Sequence, residues 1–250
     1  MYPVLIKLGP ISIPSYGFML AIAFIVGITL FSRDLKRRKM DPGIAYDLGI
    51  AAIIGGVLGA RTAYVLGHIG DAPFMDLVLR GGLAWFGGLI GATLLTYVVA
   101  KRKNLSIPLV ADGIAPAVAI GHVFGRIGCL LNGDDYGIAT TLPWAMSFPN
   151  GAPPTTQLVH PTQIYEATLH LGIFIFILAI RNKVKVGNLF LIFLVLAGTE
   201  RFFIEFIRTN EIIVGGIFTI HHFVALALVI GGSAALYLRR TVTSVEAVKN

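Results

Sequence analysis

Seven apolar stretches, near residues 15–32, 44–67, 83–100, 108–131, 162–180, 188–207 and 217–238, take up most of this chain of 250 residues. Crossing the hydrocarbon core of a bilayer takes roughly 20 residues of helix, and each stretch comes close to that length. Backbone polar groups cannot go unpaired in lipid, so stretches of this kind fold as helices. The sequence therefore predicts an all-α polytopic membrane protein with seven transmembrane helices, organised as a single transmembrane domain over residues 1–250. Composition agrees. Charged residues make up 13% of the chain, against about 25% in soluble domains.

Lysine and arginine set the orientation. RDLKRRK follows the first stretch, KRK the third, RNKVK the fifth and LRR the seventh. Successive spans run in opposite directions, so these clusters share one side of the membrane. With Lys249 they hold 14 of the 20 basic residues. Cytoplasmic loops carry such an excess, which puts the N-terminus outside and the C-terminus in the cytoplasm. The formal charge of +7 is thereby read as topology and not as a nucleic-acid surface. No basic segment directly precedes the first apolar run, which argues against a cleaved leader. The longest external segment, about 132–161, contains LPWAMSFPNGAPPTTQ. Its Pro, Trp and Phe, with a turn-forming Asn-Gly, read as a small external cap.

The basic residues that remain are Lys7, Arg61, Arg80, Arg126, Arg201 and Arg208. Lys7 and Arg80 fall in external segments. Arg61 lies in the outer half of the second span, Arg126 near the outer end of the fourth, Arg201 inside the sixth and Arg208 at its outer end. Charge at such depth is costly and turns toward a protein interior or a wet cavity. Two readings fit. Glu200, Glu205, Asp112, Asp134 and Glu166 can pair with these arginines and fix the packing. Alternatively, the arginines converge on a positive pocket at the outer leaflet, where a guanidinium fork holds two oxygens of a phosphate or carboxylate. RFFIEFIR (201–208) puts Arg201, Glu205 and Arg208 on one helical face, the i, i+4, i+7 pattern of an internal polar cavity. HPTQIYE (160–166) opens the fifth span, with Thr162 placed to cap it. A helix N-terminus attracts an anion. His160 is either a proton acceptor at neutral pH or an ordinary interfacial histidine.

Other chemistries lack support. Cys129 is the only cysteine, which excludes internal disulfides and multi-cysteine metal centres. His221 and His222 have no third ligand at recognisable spacing, so no metal site is predicted. No glycine-rich phosphate loop follows a strand pattern, which leaves nucleotide binding unsupported. The seventh span contains no lysine for a retinal Schiff base. IIGGVLGAR (53–61) and RGGLAWFGGLIGA (80–92) share a small-residue texture that lets helices approach closely, and a weak internal repeat would give the same texture. Tyr16, Trp85, Phe86 and Trp144 default to an interfacial aromatic belt.

GRIGCLLNGDDYG (125–137), VHPTQIYE and ERFFIEFIR resemble the prolipoprotein diacylglyceryl transferases of bacteria. The likeness extends through SYGFMLAIAFIVG (15–27), GGVLGARTAYVL (55–66), RGGLAWFGGLIG (80–91) and ADGIAPAVAIGHVFGRIG (111–128). It implies seven spanning helices with an external N-terminus, in the bacterial inner membrane, with the active site toward the periplasmic leaflet. It also implies a reaction without a cofactor. Phosphatidylglycerol gives its diacylglyceryl group to the lipobox cysteine of a preprolipoprotein, forming a thioether and releasing glycerol 1-phosphate. By this resemblance Arg126 and Arg201 are the catalytic or phosphate-binding arginines. Tyr16, Asn132, Asp134, Glu205 and Arg208 line the head-group site. His160, Gln163 and Glu166 belong to an HPTQ motif, and Arg61 and Asp112 support the polar interior.

The chain departs from the family pattern in places. Phe86 stands where a histidine is usual, Ala197 where a tyrosine is, Cys129 where an asparagine is, and Asp134 where a glutamate is. Phe86 cannot move a proton. The base is then His160 or Asp134, or the arginines lower the thiol pKa enough. The reacting thiol belongs to the substrate, which makes Cys129 a small wall residue. The competing readings are a lipid-binding or anion-transporting membrane protein, or an inactive, divergent relative, built on the same arginines. Polar residues gathered toward one face, not at the midplane, favour lipid chemistry over transport.

Overall fold

The computed structural model describes residues 1–9, 11–71, 73–80 and 82–248; Lys249, counted above among the basic residues, lies outside them. Strands β1 (Val4–Leu8) and β2 (Ile11–Pro14) form an antiparallel hairpin that runs directly into α1 (Ser15–Arg37). Helices α2 (Gly43–Gly67), α3 (Phe74–Arg80), α4 (Trp85–Arg102) and α5 (Ile107–Asn132) follow. A second antiparallel hairpin, β3 (Met146–Phe148) with β4 (Thr155–Val159), precedes α6 (Thr162–Ile180), α7 (Asn188–Ile204) and α8 (Ile220–Val248).

Every apolar stretch of the sequence is helical. Among the described residues, five helices are long and apolar enough to cross a membrane: α1, α2, α5, α6, and α8 over Ile220–Arg240. Of the remaining two, α4 carries Lys101 and Arg102 in its last turn. Helix α7 has 17 residues before it tightens into a 3₁₀ turn at Glu205–Ile207. The protein is a mostly helical, multi-pass membrane protein. Its chain forms two compact units, Met1–Gly27 with Ile114–Asn250, and Ile28–Gly113.

In the first unit, Ala115, Ala119, Ile177, Leu189 and Phe193 bury one another, and Ala197 packs against them. Ala197 is thus a packing residue. Helices α7 and α8 meet at small residues: a Cβ on Gly198 would press on Ala225 and Val229, and one on Gly232 on Val195. Residues 137–139 run between two other extended segments. Gly137 N–H donates to the His160 carbonyl (2.9 Å), His160 N–H to that of Ile138 (3.0 Å), and Ile138 N–H to that of Ile207 (2.9 Å). This ladder ties the start of α6 to the end of α7. The 132–161 segment also buries its own small core of Tyr136, Phe148 and Val159.

In the second unit, α2 and α4 meet along glycines. A Cβ on Gly55 or Gly59 would run into the backbone of Gly91 or Gly87, and the reverse holds for Gly87 and Gly91. The small-residue texture is therefore a helix–helix seam in which backbones touch. Arg61, Phe86 and Asp112 belong to this unit. Arg61 Nη1 donates to the Gly82 carbonyl (3.2 Å), Phe86 sits edge-on to Trp85, and Asp112 is buried. Replacing Gly59 with Leu should wedge α2 off α4 and cost about 1–3 kcal/mol of stability. A lower melting temperature in detergent is the expected reading, and an unchanged one would contradict the seam.

Candidate functional site

The segment that leaves α5 turns twice through the left-handed region, with φ +77° at Gly133 and +61° at Asp135. Glycine takes that conformation freely, and aspartate is among the few side chains that tolerate it. The first residues of α6 hold the loop. Thr162 Oγ1 donates to the Asp135 carbonyl (2.7 Å), and Gln163 Nε2 donates to that of Asp134 (2.6 Å). Both side chains are fully buried. The expected Thr162 cap is therefore corrected: Pro161 occupies the cap position with no side-chain bond, because the loop engages the Thr162 hydroxyl. Gly137 has no room for a side chain, since a Cβ would press on the Ile207 carbonyl, Thr162 and His160. The polar end of GRIGCLLNGDDYG and the HPTQ motif are two halves of one clamp.

Within this frame Glu166 is the hub. Its carboxylate is fully buried and receives Arg208 Nη1 on Oε1 (2.8 Å). Arg126 Nε lies 3.0 Å from Oε2, and Arg201 Nη1 3.5 Å from it. Glu205, also fully buried, pairs with Arg201 Nη2 at 2.7 Å. Its other oxygen accepts from Thr219 Oγ1 and Asn210 Nδ2, each at 2.7 Å. Asp135 closes the network: Oδ2 accepts from Arg126 Nη1 (2.6 Å) and Oδ1 from Arg208 Nη2 (2.8 Å). Burial works to raise the Asp135 carboxyl, but the Arg208 and Arg126 guanidiniums outweigh it and hold the group below the usual carboxylate range. It is ionised at neutral pH, and its pairs are lost only as pH falls through that lowered value. Arg126, Arg201 and Arg208 are matched by Asp135, Glu166 and Glu205. Arg126, Arg201 and Arg208 thus converge, and acids pair with them as the packing reading expects, whereas Arg61 bonds to the Gly82 carbonyl.

Two histidines absent from the sequence-predicted set join the cluster. Arg126 Nε donates to His122 Nε2 (3.2 Å), and the His122 ring stacks on His170 with centroids 3.7 Å apart. His170 Nδ1 lies 3.7 Å from Glu200 Oε2, so Glu200 faces a histidine where the sequence suggested an arginine. Helical spacing carries the signal, because His122 stands one turn before Arg126 and His170 one turn after Glu166. Asp135 is the other unpredicted member, beside the predicted Asp134.

The remaining predicted residues separate clearly. Asn132 Nδ2 donates to Asp134 Oδ2 (2.7 Å). Asp134 Oδ1 and Gln163 Oε1 are buried without a hydrogen-bond partner among the described residues. Buried acceptors in that state are rare and leave bonding capacity for a polar ligand. The Tyr16 ring lies against Gly128, where a Cβ would come within 3.2 Å of it. His160 does not join the ion network among the described residues. Its Nδ1 is 3.3 Å from Tyr165 Oη, which also accepts from Trp144 Nε1 at 2.6 Å. Cys129 is buried, with Sγ 3.9 Å from Asp135 Oδ2.

Glu166→Gln should be the most damaging isosteric change in this cluster. Removing one partner from a buried ion network costs about 3–5 kcal/mol, so a large fall in melting temperature is expected. A melting temperature equal to that of wild type would remove Glu166 as the hub.

The chain matches the family described as prolipoprotein diacylglyceryl transferase over residues 3–238. It is 32% identical to the phosphatidylglycerol–prolipoprotein diacylglyceryl transferase of Nostoc sp., over 95% of this chain and 90% of the relative. Relatives of the same name from Vibrio vulnificus and Clostridium tetani are 34% and 33% identical, over 94% and 83% of this chain and 90% and 86% of their own lengths. The matched span takes in α5, α6 and α7 and with them the whole ion network, and on this ground the chain belongs to the prolipoprotein diacylglyceryl transferase family.

Proposed function

We propose that this protein transfers the diacylglyceryl group of phosphatidylglycerol to the lipobox cysteine of preprolipoproteins. The observation that carries the reading is the convergence of Arg126, Arg201 and Arg208 on one buried carboxylate, in a chain from a family of diacylglyceryl transferases. In the reaction, the substrate thiolate attacks the glycerol carbon that carries the phosphodiester oxygen. A C–S bond forms and the C–O bond breaks. The electron pair leaves with glycerol 1-phosphate, and the thiol proton passes to a base. Negative charge therefore grows on the phosphate, where preorganised guanidiniums stabilise it. No cofactor enters this balance.

Arg126 and Arg201 are assigned to the phosphate, with Arg208 beside them. Tyr16, Asn132, Gln163, Glu166 and Glu205 line or position the head-group site. Asp134 is the favoured proton acceptor, because its Oδ1 is buried with no hydrogen-bond partner among the described residues. His160, bonded to Tyr165, is the second choice. Arg61 supports the polar interior of its own unit.

The basic clusters support the orientation. Lys36 and Arg37 end α1, Lys101 and Arg102 end α4, and Arg181, Lys183 and Lys185 join α6 to α7. The ion network lies at the opposite ends of α6 and α7. With the positive clusters in the cytoplasm, the site faces the periplasmic leaflet of the inner membrane, beneath an external cap at 132–161. The whole is one domain with seven spans, whose partners are lipid and lipoprotein and not nucleic acid.

Purified protein supplied with phosphatidylglycerol and a lipobox peptide should form the thioether. Arg126→Ala and Arg201→Ala should each lower turnover by at least ~10²-fold while far-ultraviolet dichroism stays helical. Full activity in both variants would sink the residue assignment. Lipid binding by wild type without any thioether would favour the divergent-relative reading, which Phe86 and Ala197 motivate. Asp134→Asn should lower kcat by ~10²–10⁴-fold and leave the KM for phosphatidylglycerol nearly unchanged. A normal kcat in that variant would pass the proton to another group.

A further inference from the structure

Asp135 lies between two guanidiniums, those of Arg126 and Arg208. Its two oxygens are gripped separately, one by Arg126 Nη1 at 2.6 Å and one by Arg208 Nη2 at 2.8 Å. That is how two guanidiniums bridge a pair of oxygens on one anion. The other two carboxylates of the network cannot leave. Glu166 and Glu205 are fully buried on helix backbone, and each meets three or more polar partners. Asp135 differs in burial and in backbone. Its side chain is 42% exposed, against 6% for Arg208, and it stands on a loop at φ +61°. Its backbone is nevertheless pinned, since Thr162 Oγ1 holds its carbonyl at 2.7 Å. The carboxylate can rotate out while the loop stays in place.

We infer that Asp135 is an exchangeable counter-ion, a carboxylate of the protein that pairs with Arg126 and Arg208 and is displaced from them when the phosphate of the lipid head group binds. Charge balance requires some such exchange. Three guanidiniums face three carboxylates, so an added phosphodiester would leave a net negative charge in a poorly screened interior, where uncompensated charge is costly. Swapping one carboxylate for one phosphodiester keeps the network neutral. Cleavage then converts the bound phosphodiester into a monoester of about two negative charges. The returning Asp135 carboxylate competes with it for Arg126 and Arg208 and drives glycerol 1-phosphate out. An ordinary aspartate carboxyl is already ionised across the neutral range, so the displaced group keeps the charge with which it competes. This inference rests on the transferase reading for the identity of the anion.

The test uses full-length protein in detergent micelles with glycerol 1-phosphate as probe. Asp135→Asn removes the internal competitor, so it should bind glycerol 1-phosphate about tenfold tighter than wild type, a difference of ~1.4 kcal/mol, and show correspondingly stronger product inhibition. Asp135→Glu, which keeps the charge, should bind like wild type. A residue that only braced the arginines would give the opposite sign, and equal or weaker binding by Asp135→Asn overturns the proposal. Wild type supplies an independent measure that needs no variant to fold. With aspartate labelled at the side-chain carboxyl, the Asp135 resonance should move toward its solvent-exposed position as glycerol 1-phosphate is added, and an unmoved resonance at saturation also overturns the exchange. If wild type makes thioether but Asp135→Asn binds no tighter, the exchange fails and the transferase stands. If wild type neither makes thioether nor binds glycerol 1-phosphate, both fall.

Discussion

One buried carboxylate organises the polar interior. Glu166 has no exposure to solvent, yet it is surrounded by guanidiniums from α5, α7 and the residue that follows the 3₁₀ turn. Neither side of this arrangement is stable alone. Three arginines brought together in a low dielectric repel one another, and a lone carboxylate at that depth would take up a proton. Each makes the other possible, and the geometry of both is set by backbone. Glu166 stands one turn into α6, near the positive end of the helix dipole. The first two residues of that helix grip the loop that delivers Asp135. The network is thus a statement about where three helix ends must lie.

Sequence reasoning reached much of this frame because its signals are periodic. Apolar runs of spanning length located every long helix. The i, i+4 spacing of Arg201 and Glu205 placed them on one face, and Glu205 does pair with Arg201 at 2.7 Å, whereas Arg208, expected at i+7 on the same helix, lies past its end in extended backbone and reaches Glu166 from there. The clustering of arginines toward one end was legible for the same reason. Misses fall where periodicity stops. Asp134 and Asp135 are neighbours on a loop with left-handed turns, and nothing in the sequence says which of them faces the guanidiniums. Thr162 looked like a helix cap because caps are a local pattern, whereas its bond to Asp135 spans 27 positions. His122 and His170 were within reach, since each lies one turn from a charged residue on its own helix, but their mutual stacking is a tertiary fact.

The departures from the family pattern acquire structural meaning in their own units. Ala197 packs beside Phe193 and Leu189, an apolar surround that a small side chain fits. Cys129 is buried with its sulfur 3.9 Å from Asp135 Oδ2. Phe86 opens α4 against Trp85 and brings no titratable group. In the first unit Asp135 and Glu205 share arginines with Glu166, two stacked imidazoles stand beside it, and Asp134 Oδ1 has no hydrogen-bond partner among the described residues.

The ladder through residues 137–139 has a consequence for how such a protein can change over time. Its rungs are peptide groups, and Ile138 and Ala139 are exposed. The rim of the site is therefore rigid in its backbone and unconstrained in its lettering. Only Gly137 is fixed by space. Substitutions at Ile138 or Ala139 leave these peptide bonds in place, so the lettering of this segment can change over time without loosening the tie between the start of α6 and the end of α7.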